Sequence, residues 1–199
     1  MVRINKSPKS NHQWTVAMII GMATGLLGVT FAVVHAFEPA AANARLSVVL
    51  VRHGNAPGSG EPKGFELSDC STQRNLTDKG RERAREIGDI LRSRHIHVGK
   101  IMASRLCRTR QTAKLMKIGP VEPNSAFDDL AENQQTAGQL LARERAIIDA
   151  WEGPGVLVVV THGSNIKALT GLHVDQGGMV DVETNGGQPV ARLFDTTTE

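Results

Sequence analysis

The sequence has no tyrosine, and Phe and Trp together bring its aromatic content to only 4%. A core built from it has to be aliphatic, and the stacking platforms that single-stranded nucleic acids require are missing. A surplus of charge is missing too. Three of the 23 Lys and Arg and one of the 20 Asp and Glu precede residue 45, so the rest of the chain is close to neutral. Overall charge therefore gives no case for nucleic acid as a partner. No H-E-x-x-H or C-x-x-C spacing occurs, and so no metal or other cofactor is implied. Internal repeats and low-complexity tracts are absent. Only two cysteines are present, Cys70 and Cys107. They form either one disulfide, if the compartment is oxidising, or two separate thiols.

One long apolar run is present near the start. Residues 15–37 read TVAMIIGMATGLLGVTFAVVHAF, with His35 as their one ionisable side chain, and Arg3, Lys6 and Lys9 stand in front of them. A basic head followed by an apolar run is an export signature. The run is long enough to cross roughly 30 Å of hydrocarbon as a helix, which would make it an uncleaved membrane anchor. Ala42-Asn43-Ala44 offers the competing outcome, cleavage before Arg45. Both stay open. Either way, residues 1–44 are expected to be a signal anchor or signal peptide with a short linker. Residues 45–199 are then one domain outside the cytoplasm, soluble or anchored on the periplasmic side of the inner membrane.

At 40% hydrophobic and 22% charged residues, the whole chain has a globular composition. The pattern after residue 44 alternates. Leu46–Val51 and Val156–Thr161 are β-branched runs that suit strands buried on both faces. Lys100–Ala103 reads as a further strand. Helices are expected over Thr77–Arg94 (with Thr77 as cap), Arg108–Met116, Gly138–Trp151 and Ile166–Leu172. Met179–Val182 and Val190–Phe194 read as a hairpin around Asn185-Gly186-Gly187. Strands alternating with helices predict an α/β three-layer sandwich with a mostly parallel central sheet. Such folds carry their sites at the carboxyl ends of the strands. Two apolar strands end there in a histidine followed by glycine, at Arg52-His53-Gly54 and Thr161-His162-Gly163.

A metal-free phosphoryl-transfer site needs a nucleophile, several cations around the phosphate oxygens and an acid for the leaving oxygen. Neutral imidazole is such a nucleophile, and the planar fork of arginine grips two oxygens at once. Arg52, His53, Arg108 and His162 supply the nucleophile and the groups around the phosphate. The motifs that carry them resemble the histidine phosphatase superfamily, in its phosphoglycerate-mutase-like branch. The R-H-G stretch is residues 52–54. Leu76, Thr77, Gly80 and Ala84 match L-T-x-x-G-x-x-x-A. Ser104, Leu106, Arg108, Gln111, Thr112 and Ala113 match S-x-L-x-R-x-x-Q-T-A. Val160, His162 and Gly163 match V-x-H-G. The resemblance leans toward exported members, such as those similar to lipopolysaccharide-core heptose phosphate phosphatases. The long insertions that mutases use to enclose phosphoglycerate are missing.

The resemblance implies a phosphomonoesterase that forms a phosphohistidine on His53 without a metal. Arg52, Arg108 and His162 would hold the phosphate, His162 as a cation, with Asn55 reaching it from the loop. The acid would be Glu132, in Leu130-Ala131-Glu132, or else Asp129, with Asp128 close by. Arg105 and Arg110 read as exposed helix charge, and His95, His97 and His173 as incidental. The substrate would be a phosphorylated small molecule or envelope component. The rival readings are a protein phosphohistidine phosphatase and a catalytically inactive envelope protein that uses the fold for binding.

Overall fold

The computed structural model describes residues 47–183 and 189–196. The targeting segment with its apolar run and Ala42-Asn43-Ala44, the boundary at 44/45 and the Asn185-Gly186-Gly187 turn lie outside the described residues. Among the described residues, no helix is long and apolar enough to cross a membrane.

Six strands form one sheet in the order β3-β2-β4-β1-β5-β6. They are β1 (Ser47–Arg52), β2 (Val98–Ala103), β3 (Val121–Pro123), β4 (Val156–Thr161), β5 (Met179–Glu183) and β6 (Val190–Leu193). The first four run parallel, β5 pairs antiparallel with β1, and β6 antiparallel with β5. Helices α1 (Asp78–Ser93) and α2 (Cys107–Met116) cover one face of the sheet, and α3 (Ala137–Asp149) and α4 (Gly163–Thr170) the other.

The strand sequences account for these layers. Val48 and Leu50 of β1, with Leu157 and Val159 of β4, pack toward Ile148 of α3 and Ile166 of α4. The alternate residues Val49, Val51, Val158 and Val160 pack toward Ile87 and Leu91 of α1 and Met116 of α2. Side chains alternate across a strand, so a continuous apolar run feeds two cores at once. The expected α/β sandwich is the observed fold. The three-residue β3 is an addition. Nothing in the sequence marks so short an edge strand, which is held by its pairing with β2 at Ile101–Ala103.

Two glycines fix how the first strand meets the first helix. A Cβ on Gly54 would lie 2.4 Å from the Gly80 carbonyl oxygen, and one on Gly80 would lie 2.3 Å from that of Asn55. The strand-end loop and the first turn of α1 thus touch backbone to backbone. Thr77 caps that turn, its Oγ1 accepting from Gly80 N at 3.1 Å.

Candidate active site

Strands β1 and β4 are neighbours, with Arg52 opposite Thr161. The residues that follow them, His53 and His162, therefore emerge side by side, their ring centroids 5.4 Å apart. Both are buried. Helix α2 starts after β2, on the far side of β4, and its second residue, Arg108, is fully buried between them. Arg108 Nε donates to His53 Nε2 and Arg108 Nη2 to His162 Nδ1, both at 3.2 Å.

The hydrogen bonds select one tautomer for each ring. His53 Nδ1 lies 2.8 Å from the Gly54 carbonyl, which can only accept, so Nδ1 carries the proton. Nε2 is left with its lone pair facing Arg108. Burial, with the charges of Arg108, Arg52 and Arg74, pulls the His53 pKa down to about 3, against the pull of the Gly54 carbonyl. His53 is a neutral imidazole whose unprotonated Nε2 accepts from Arg108 in the free protein. His162 is the mirror case. Its Nε2 donates to Ser104 Oγ at 2.9 Å, and Ser104 in turn donates to Asp128. Burial, then Arg108 and His53, hold His162 well below its ordinary pKa. The expected cation is thus disfavoured in the free protein, because the ring is buried beside the Arg108 guanidinium.

Asp129 belongs to the same constellation. One carboxylate oxygen, Oδ2, lies 3.1 Å from Arg108 Nη2 and 3.5 Å from His162 Nδ1. The other, Oδ1, accepts from Ser164 Oγ at 2.6 Å and from Ala131 N at 3.1 Å. Glu132 is exposed and is not among the residues that line the cleft; its carboxylate lies over Gly60. Asn55 also stays outside the lining. Its amide donates to Gln176 and its carbonyl accepts from Thr77, so both ends are engaged. The structure therefore brings together Arg52, His53, Arg108, His162 and Asp129, but not Asn55 or Glu132.

The cleft over these residues has a volume of about 330 Å³. Arg52 and Arg74 both line it, and the Nε–H of each is buried without a hydrogen-bond partner. Arg52 Nη1 is anchored on the Val174 carbonyl at 2.8 Å. Arg74 escaped the sequence reading because it stands in a loop, three residues before the helix cap, with no strand end to point to it. His173, read as incidental, also lines the cleft. Arg105 is not simple helix charge, since its side chain grips Asp128 through Nε and Nη2 at 2.8 and 2.6 Å. Arg110 lies against the sulfurs of Cys70 and Cys107, which are joined in a disulfide with Cα atoms 5.6 Å apart. Among the described residues, no group of three or more His, Cys, Asp or Glu side chains is placed to hold a metal ion.

Comparison with known proteins agrees with this fold. No curated protein sequence matches the chain. Solved structures do. A phosphoserine phosphatase from Entamoeba histolytica, in complex with phosphoserine, is 16% identical with a TM-score of 0.53, covering 76% of this chain and 98% of its own. A mycobacterial glucosyl-3-phosphoglycerate phosphatase is 18% identical with a TM-score of 0.54, covering 75% and 97%. The Bacillus stearothermophilus protein YhfR is 16% identical with a TM-score of 0.56, covering 77% and 98%. At these identities the likeness is one of fold. Residues 48–140, a little under half of the chain, match the model of the histidine phosphatase superfamily, branch 1.

Proposed function

We propose that the protein is an exported phosphomonoesterase that works through a phosphohistidine on His53 and needs no metal. The observation that carries this reading is Arg108, held between His53 Nε2 and His162 Nδ1 at 3.2 Å from each. A guanidinium between two lone pairs marks where phosphate oxygens would sit, directly beside a nucleophilic nitrogen. His53 Nε2 attacks phosphorus, a P–N bond forms and the P–O bond to the alcohol breaks. The leaving oxygen takes its proton from a carboxyl group at the cleft. Water then attacks the phosphohistidine, gives a proton back to that carboxylate, and inorganic phosphate leaves with Nε2 restored.

Of the two acids that the sequence offers for the role, Asp129 reaches this centre and Glu132 does not, so Asp129 takes precedence as the proton donor. The acid test is comparative. Asp129→Asn should slow alkyl phosphates more than activated aryl phosphates, while Glu132→Gln should leave both rates near wild type. The reverse pattern would return the role to Glu132.

Export is proposed on the apolar run at 15–37 and the basic residues before it. The substrate is proposed to be a phosphorylated small molecule, with envelope sugar phosphates, heptose phosphates among them, as the class to try first. The deciding experiment assays the full-length chain on an aryl phosphate, with and without a chelator, and traps the labelled protein in acid and in alkali. Chelator-resistant turnover with an acid-labile, alkali-stable label supports the reading. Absence of turnover by the folded protein on aryl, sugar and lipid phosphates would favour the binding protein instead.

A further inference from the structure

The loop after the first strand carries an acidic side chain that the mechanism does not use. Residues 57–64 are mostly exposed, yet the Glu61 side chain is only 1% exposed. It turns inward against the phosphate cradle. Oε1 pairs with Arg108 Nη1 and lies 3.8 Å from Arg74 Nε, and Oε2 accepts from the backbone N of Arg74 at 3.0 Å. Arg74 also reaches back to the same loop, its Nη1 donating to the Gly58 carbonyl and, at 3.4 Å, to that of Ala56. Glu61 and Arg74 thus tie to the domain a loop that is mostly exposed.

A carboxylate and a phosphate present similar oxygens to a guanidinium. Arg108 is fully buried, and burial works against its charge while Glu61 and Asp129 favour it. Glu61 therefore supplies, in the free protein, part of the negative charge that a bound phosphate would bring. Arg74 has an Nε–H buried without a hydrogen-bond partner, and its charge is close enough to lower the pKa of both His53 and His162. We infer that Glu61 is a tethered anion occupying the phosphate seat between Arg108 and Arg74, that substrate phosphate must displace it, and that Arg74 is then a further phosphate-binding arginine.

A tethered competitor reduces apparent affinity by the fraction of time the seat is empty. Glu61→Gln keeps the shape and removes the charge. Glu61 as a purely structural counter-ion, and Arg74 as a purely structural loop anchor, would each lose binding on substitution. The tethered-anion role gives opposite signs for the two residues. The experiment is calorimetric titration of the full-length chain with inorganic phosphate and with tungstate, after thermal melting shows each variant to be folded. Glu61→Gln should bind both anions at least about tenfold tighter, the effect of freeing a seat that is open a tenth of the time. Arg74→Ala should bind both at least about tenfold more weakly, as the loss of a charge-assisted contact requires. Unchanged or weaker binding in Glu61→Gln, or unchanged binding in Arg74→Ala, overturns the inference. It rests on the phosphatase reading only for the identity of the natural ligand. Oxyanion binding is measured without turnover, so an inactive protein whose two variants move in opposite directions would sink the enzyme and keep the seat.

Discussion

At the scale of single residues, hydrogen bonds fix which nitrogen of each ring carries its proton in the free protein. The Gly54 carbonyl holds the His53 proton on Nδ1, and burial among arginines keeps the ring neutral down to a pKa of about 3. Nitrogen-15 NMR of the free protein should show the Nδ1–H tautomer of His53 unchanged from pH 8 to pH 5. A ring that protonates near its ordinary value would contradict this. His53→Ala should lower turnover by at least about 1,000-fold, the scale seen when a covalent nucleophile is removed. Ser104 acts through His162, not on substrate. Ser104→Ala frees the His162 Nε2–H and lets the ring turn, so kcat/KM should fall on the order of 10- to 100-fold, and the His162 tautomer should become mixed in the same spectra. The placing of His53, Arg108 and His162 in one cluster was legible in the sequence because each follows an apolar strand. Glu61 and Arg74 were not. They sit in an irregular loop, where no periodicity tells an inward side chain from an outward one, and only the folded loop shows that Glu61 points in.

At the scale of the elements, motif residues that touch no substrate turn out to set geometry. The glycine of R-H-G and the glycine of L-T-x-x-G meet backbone to backbone, which brings the loop carrying His53 onto the capped end of α1. Gly80→Ala forces a methyl group into the Asn55 carbonyl and should cost roughly 1–3 kcal/mol, the usual range for overpacking; denaturant titration measures it. Helix α3 carries a second device. Glu144 is fully buried on a helix whose neighbours Arg143 and Arg145 are not. Its Oε1 accepts from Asn165, whose amide also donates to the Asp128 carbonyl and whose Oδ1 receives Leu130 N. Glu144 thereby steadies the segment that presents Asp129. Burial raises its pKa from 4.5 to about 8, Asn165 partly opposing the rise. Between those two values the folded state holds a proton that the unfolded chain has lost, so this contribution to stability is full below pH 4.5 and is lost as pH rises through 8. Glu144→Gln should gain stability over wild type on the order of 2–4 kcal/mol more at pH 8 than at pH 5. Melting curves at the two pH values test the sign. The sequence did foretell the helix, but not which of its polar residues would be buried, since α3 is only weakly amphipathic and Glu144 interrupts its apolar face.

At the scale of the whole molecule, the disulfide ties together parts that the chain brings to the cleft separately. Arg74 arrives from the loop before α1, and Arg108 from the start of α2, across the sheet. The Cys70–Cys107 bond joins the two segments over a sequence separation of 37. Gln73 reinforces it by accepting from Cys107 N at 2.8 Å, and Asn75 by donating to the Cys70 carbonyl at 2.6 Å. Composition alone left the pairing open, because two cysteines say nothing about whether their segments meet; the meeting follows from the sheet order. Closing a loop of this length is worth about 3–4 kcal/mol in the chain-entropy account. If stability were the whole effect, reduction would lower the melting temperature and leave the site intact below it. The bond, however, holds the two arginines that flank Glu61, so reduction should also loosen the phosphate seat. Full-length protein treated with reductant should melt at a lower temperature and, well below that temperature, should bind inorganic phosphate more weakly than the oxidised form. Cys70→Ser should reproduce both effects without reductant, and should no longer respond to it. If Cys70→Ser melted early but bound phosphate like the oxidised wild type, Gln73 and Asn75 would be sufficient to align the arginines. The disulfide would then be a stability element and no more.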